Sequence, residues 1–156
     1  MAKRARIANR EKLLAKMAAL PGEIRSAIRQ SLAQGADEIT DMQKRLVPKK
    51  TGKLRDSIRQ NWGGALPKYA SLKAGAEAGD PDLTVTITAG NRQVGYAHLV
   101  EFGTAPHEVG GKFKGAQHPG SEAKPFFFPP YRALRRRVRS RITRAVKKAA
   151  REVAAK

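Results

Sequence analysis

From residue 22 onwards, apolar side chains recur at three- and four-residue steps: Ile24, Ala27, Ile28, Leu32, Ala36, Ile39, Met42 and Leu46. That spacing draws one stripe down a helix and predicts one from about Gly22 to Leu46, stopped by Pro48. Ahead of it, Leu13, Leu14, Met17 and Leu20 predict a shorter helix over 8–20, interrupted by Pro21 and Gly22. The period then changes. Leu83, Val85, Ile87 and Ala89 alternate with Thr84, Thr86 and Thr88, which predicts a strand with one buried face. Val94, Tyr96, Val100 and Phe102 suggest a second strand after a turn at Asn91 and Arg92, the two forming an antiparallel hairpin. Near the end Leu134, Val138, Ile142, Ala145, Val146, Ala149 and Val153 restore the helical stripe.

Breaker residues supply the joints. Over 47–58 the order is stop, tight turn and a segment able to become a strand, with Gly52 free to take positive φ and Leu54 and Ile58 returning the chain to the core. The stretch 63–82, rich in Gly, Ala and Pro, is expected to be an exposed connection with Trp62 and Tyr69 at its base. Gly103 allows a sharp exit from the second strand, and 104–124 is a long loop of Gly, Lys, His and Pro. Pro129 and Pro130 suit the first turn of the last helix, where no intrahelical donor is lost. The expected fold class is α+β: a long N-terminal helix, a small antiparallel sheet and a long basic C-terminal helix packed on the sheet. At 156 residues the chain suits one domain, 21–156, behind a basic arm of residues 1–20.

Charge changes this picture more than composition does. The formal net charge is +19, and residues 132–156 contribute ten of it while residues 1–16 contribute five. Almost everything off the apolar stripe of the last helix is Arg or Lys, so one side packs and the rest is a cationic surface facing DNA or an acidic protein. The residues facing that partner are Arg132, Arg135, Arg136, Arg139, Arg144, Lys147 and Lys148. Cysteine is absent, which excludes disulfides and thiolate metal sites. No apolar run approaches the roughly 20 residues of a membrane span, and the basic start has no signal-peptide apolar core. The expected setting is a cytoplasm, or a particle assembled there.

Three segments mark junctions between elements: VPKKTGKLRDSI at 47–58, YAHLVEFGT at 96–104 and KPFFFPPYRALRRR at 124–137. Taken in order, they resemble the siphovirus neck family of head-tail joining, minor tail or tail-completion proteins. The Pro-x-x-Thr-Gly-x-Leu-Arg-x-Ser-Ile pattern falls on Pro48, Thr51, Gly52, Leu54, Arg55, Ser57 and Ile58. The second falls on Tyr96, Ala97, Val100, Glu101, Phe102, Gly103 and Thr104, and the Pro-Phe that opens the last helix on Pro125 and Phe126. Phe128 stands where family members often carry Arg, and Pro129-Pro130 replaces a single proline. The resemblance implies a structural virion protein with no cofactor, a subunit of a closed ring, often sixfold, between portal and tail tube. Its implied partners are its own copies, neighbouring connector and tail-tube proteins, and DNA in the channel, after assembly in the host bacterial cytoplasm. A closed ring needs two different complementary patches, for which the 104–124 loop and the Thr-rich strand face are the candidates.

Catalysis finds little footing. His98 and Glu101, three apart on a predicted strand, point to opposite faces, and His107 and His118 sit in the loop with only Glu108 nearby. No phosphate-cradling glycine loop, nucleophile elbow or acid pair appears. Glu101 stands either as partner to a neighbouring subunit's Arg or in a local salt bridge or solvated edge position. Phe102, Phe126 and Phe127 are expected as core or interface anchors. The rival function is a free, sequence-nonspecific nucleic-acid-binding protein, which the scarcity of aromatics among the basic residues disfavours.

Overall fold

A computed structural model describes residues 21–64, 66–75 and 79–155; the basic arm and the helix expected over 8–20 lie outside the described residues. Helix α1 spans Gly22–Leu46, with Glu23 in its first turn and Lys44 and Arg45 in its last, each complementing the helix dipole. It stops where Val47 turns extended ahead of Pro48. Its buried face holds small and polar residues, Ser31, Gly35, Ala36, Thr40 and Gln43, besides Ile24 and Ile39. Met42 and Leu46, expected on the apolar stripe, are exposed. In the last two turns the core side passes to Thr40, Gln43 and Val47, because the Gln43 amide donates to the Phe127 carbonyl at 2.8 Å inside the core.

After α1, Gly52 takes φ +79° and starts the single-turn helix α2, Lys53–Asp56. Leu54 and Ile58 are buried on either side of Ser57, whose hydroxyl donates to the Leu54 carbonyl and accepts from the Gly90 amide. Thus the segment expected to be a strand spends one helical turn before β1, Arg59–Trp62. Two further strands follow, β2 at Leu72–Gly75 and β3 at Val85–Ala89. All pairings are antiparallel in the order β1-β3-β2, with Gln60 and Ala74 both opposite Ile87.

The second strand expected over 94–102 does not form. Asn91 Oδ1 accepts from the amides of Gln93 and Val94, closing a turn, and Ala97–Phe102 is a short helix, α3. Val94, Ala97 and Glu101 are buried together at steps of three and four residues, and a strand would have set Val94 and Ala97 on opposite faces. The pairing edges of β3 are taken instead by β1 and by β2, which lies within the stretch expected to be connection only. Trp62 does brace that stretch, since the Arg29 guanidinium lies 5.1 Å from its ring centroid, whereas Tyr69 is exposed beneath Lys68.

Burial in β3 also departs from the expectation of one buried face. Thr84, Thr86 and Thr88 are all buried. They are short side chains on a central strand, set in register between longer Arg59, Asn61 and Lys73, and the Asn61 amide donates to Thr88 Oγ1 at 2.8 Å. The Thr-rich face is therefore closed to a partner.

Helix α4, Phe128–Ala154, lies antiparallel along α1. The pairing runs from Gln43 with Phe127 at one end to Glu38 with Arg137 and Arg141 further along. Tyr131, Leu134 and Val138 reach from α4 into the core shared with Ile39, Leu72, Ile87 and Val94, so the helix meets the sheet through these side chains while packing chiefly on α1. Phe126 and Phe127, both fully buried, fill the centre of that core, where truncation to Ala costs about 3–5 kcal/mol.

The two long helices pack tightly at Gly35, where an added Cβ would lie 2.5 Å from Val138 Cγ1. A valine there gains a few tenths of a kcal/mol in helix propensity and loses about 1–3 kcal/mol to overpacking. Gly35→Val should therefore lower the urea midpoint; an unchanged or raised midpoint would show that the helices have room to spare.

Candidate interaction site

The site begins with a buried carboxylate. Glu101 is 3% exposed and sits at the end of α3, facing the start of α4. Its Oε2 accepts from the amides of Phe126 (2.7 Å) and Phe127 (2.8 Å), and its Oε1 from Phe128 (3.0 Å). Three charge-assisted bonds and the positive end of a 27-residue helix compensate its removal from water. Glu101 is thus committed within its own subunit, neither paired with an Arg nor solvated. The error followed from placing it on a strand; on a helix it turns inward with Ala97.

Immediately afterwards the chain reverses. Gly103 has φ +71°, and an added Cβ would stand 2.6 Å from the Ser121 carbonyl oxygen and 2.8 Å from the Ala123 nitrogen. Thr104 and Ser121 exchange both backbone hydrogen bonds, 2.9 and 3.0 Å, and close the base of the segment expected to be an irregular loop. That segment is a narrow hairpin: β4, His107–Glu108, pairs with β5, Gln117–His118, and a 3-10 turn at Gly111–Phe113 forms its tip. The rings of His107 and His118 stack at 5.0 Å across it, and Phe113 at the tip is 72% exposed.

Two of the three sequence motifs meet in space. Pro48, Lys50, Thr51, Gly52 and Leu54 form one wall of a groove of about 660 Å³. Tyr96, Leu99 and Val100 form the other, with Ser121, Glu122 and Lys124 along the rim. Lys124 is fixed there by its amide, which donates to the Val100 carbonyl at 2.8 Å. Tyr96, Leu99 and Phe102 are exposed along the outer side of α3, Phe102 by 62%, with its ring 5.9 Å from that of Phe128. Phe102 is therefore no core residue, whereas Phe126 is. Of the other motif positions, Glu101, Gly103, Thr104 and Pro125 build the junction beside the groove.

Leu99 was missed by sequence reasoning, and Phe113 and the rim residues were reached only as unnamed members of the 104–124 loop. A helical period over 96–102 carries the signal for the first, since it sets Tyr96, Leu99 and Phe102 on one outward side. The cations Arg132, Arg135, Arg136, Arg139, Arg144, Lys147 and Lys148 are all exposed on α4 and do not line the groove. Among the described residues, no three His, Cys, Asp or Glu gather as metal ligands, and no helix is long and apolar enough to cross a membrane.

Comparison with known families matches residues 11–103 to the HK97-gp10-like family, described as a tail component of bacteriophage HK97-gp10 type. The chain belongs to this family. The match takes in both groove walls and α3; the Pro125-Phe126 motif and α4 lie beyond it. No curated protein and no solved structure matches the chain. As a member of the HK97-gp10-like family the protein is a structural phage tail component, with the virion as its setting.

Removing the carboxylate leaves three donors at the start of α4 without their acceptor, so Glu101→Ala should destabilise the fold by about 2–4 kcal/mol in chemical denaturation. Glu101→Gln keeps one acceptor oxygen but sets an NH2 against the remaining donors, and should cost about 1–3 kcal/mol. Equal stability of wild type and both variants would contradict the capping role. Gly103→Val combines positive φ with backbone collision and should lower the melting temperature by several degrees, an effect of about 2 kcal/mol or more.

Proposed function

We propose that this tail component forms a closed ring at the neck of the particle, joining or completing the tail at the head-tail interface. Its work there is mechanical rather than catalytic. The carrying observation is the exposed row Tyr96, Leu99 and Phe102 beside the motif-walled groove. Exposed large apolar side chains in a row on one short helix mark a contact surface. The groove's walls carry Pro48, Leu54, Tyr96, Leu99 and Val100, and its charged residues, Lys50, Glu122 and Lys124, include a single acid, which supports docking over chemistry.

A closed ring requires two different patches per subunit, related by a rotation that returns to its start. The groove with α3 supplies one. The hairpin 104–121, which ends in exposed Phe113, supplies a second of different shape, and takes the role that the buried Thr-rich strand face cannot fill. Copies of this chain are then the lateral partners, six being the expected number, and connector and tail-tube proteins the axial ones.

Native mass spectrometry at high salt tests the ring. Wild type should appear as a single closed oligomer, and Leu99→Ser with Phe102→Ser, both on exposed positions, should give folded monomers that fail to restore particle assembly. A wild-type chain that stays monomeric at every concentration would overturn the ring and return the protein to the free nucleic-acid-binding alternative.

A further inference from the structure

We infer that one stripe of α4 binds the phosphate backbone of double-stranded DNA without reading its sequence. The stripe consists of Arg132, Arg136, Arg139 and Lys147, flanked by Arg135. At 3.6 residues per turn the first four fall within roughly 80° of arc, with Thr143 between them, over about 22 Å of helix. All five side chains are exposed.

Among the described residues, five cations outside the stripe are matched by acids. Arg25 and Arg29 on α1 meet Asp80 and Asp82, Arg137 and Arg141 on the flank of α4 meet Glu38, and Lys148 lies 3.9 Å from Glu152. None of the five stripe residues has an acid within salt-bridge distance among the described residues. The two flanks of one helix thus differ in neutralisation, and the unneutralised one opposes compaction unless an external anion lies along it.

The chemistry of the stripe selects the anion. Cores of protein interfaces are depleted in charge and anchored by apolar side chains, yet Thr143 is the only uncharged residue within this stripe. No aromatic residue follows Tyr131 on α4, so bases of a single strand have no ring to stack on. Closely spaced cations without aromatic stacking groups fit the duplex backbone, whose charge density is uniform and high. The stripe is shorter than one duplex turn, about 34 Å, so it can stay on one strand's phosphates.

Fluorescence anisotropy with the full chain and a labelled random-sequence duplex, titrated over a range of salt, tests this directly. The wild type should bind sequence-shuffled duplexes equally, with log affinity falling steeply against log salt. Replacing all five stripe residues by Gln should reduce that slope by about 4.5, at roughly 0.9 per lost phosphate contact, while the melting temperature holds. Changing the four Arg to Lys should keep affinity within about threefold, because phosphates respond to charge rather than to guanidinium geometry. An unchanged slope in the Gln variant would overturn the assignment and place any DNA affinity outside the stripe. Competition by poly-glutamate as effective as by duplex of equal charge would also overturn it, in favour of an acidic protein partner.

Discussion

A buried carboxylate holding the start of a long cationic helix is the constraint from which the remaining geometry follows. Pro129 and Pro130 remove two amide donors from the first turn of α4, and Glu101 takes the three that precede them, Phe126 to Phe128. The helix therefore begins with its early donors satisfied in a place where water does not reach. Because Glu101 belongs to α3, its three bonds also fix α3 against α4. That in turn sets the outward row Tyr96, Leu99 and Phe102, and makes the chain reverse at Gly103 into the hairpin. The exposed surface assigned to assembly and the packed core are two sides of one short helix.

Charge is arranged around this core rather than within it. α4 packs on a narrow apolar side, where Gly35 lets it approach α1, and Glu38 offsets Arg137 and Arg141 on the adjoining flank. The rest of its circumference remains cationic. Folding tolerates this because the like charges are exposed, spread over many turns and screened by salt within about 10 Å. The proposed contact with duplex phosphates draws on these unpaired cations.

Periodicity made the long helices legible in the sequence: the span of α1, its stop at Pro48 and the apolar side of α4 stand where the pattern places them, while the α1 stripe leaves the core at Met42 and Leu46. It failed where two periods compete over few residues. Between 94 and 102 alternate apolar residues read as a strand, yet Ala97 and Glu101 turn inward together because the decisive inward group is polar, and its partners lie 25 residues away on another element. β2 escaped notice since Leu72 and Ala74 are its only apolar residues. The buried threonines reflect the central position of β3, which only the pairing with β1 and β2 reveals. The motif residues were visible individually, but that Pro48 to Leu54 and Tyr96 to Val100 wall one groove depends on tertiary packing and is not written in their spacing.

Membership of a phage tail family, an unpaired apolar row beside a groove and a protruding hairpin together describe a part made to fit others. The central claim is that heads and tails depend on that part to become one particle. Electron microscopy of particles produced without this chain tests it most directly. The account predicts DNA-filled heads and complete tails accumulating separately, with joined particles restored by the wild-type chain supplied in trans. Intact particles at normal yield in its absence would contradict it.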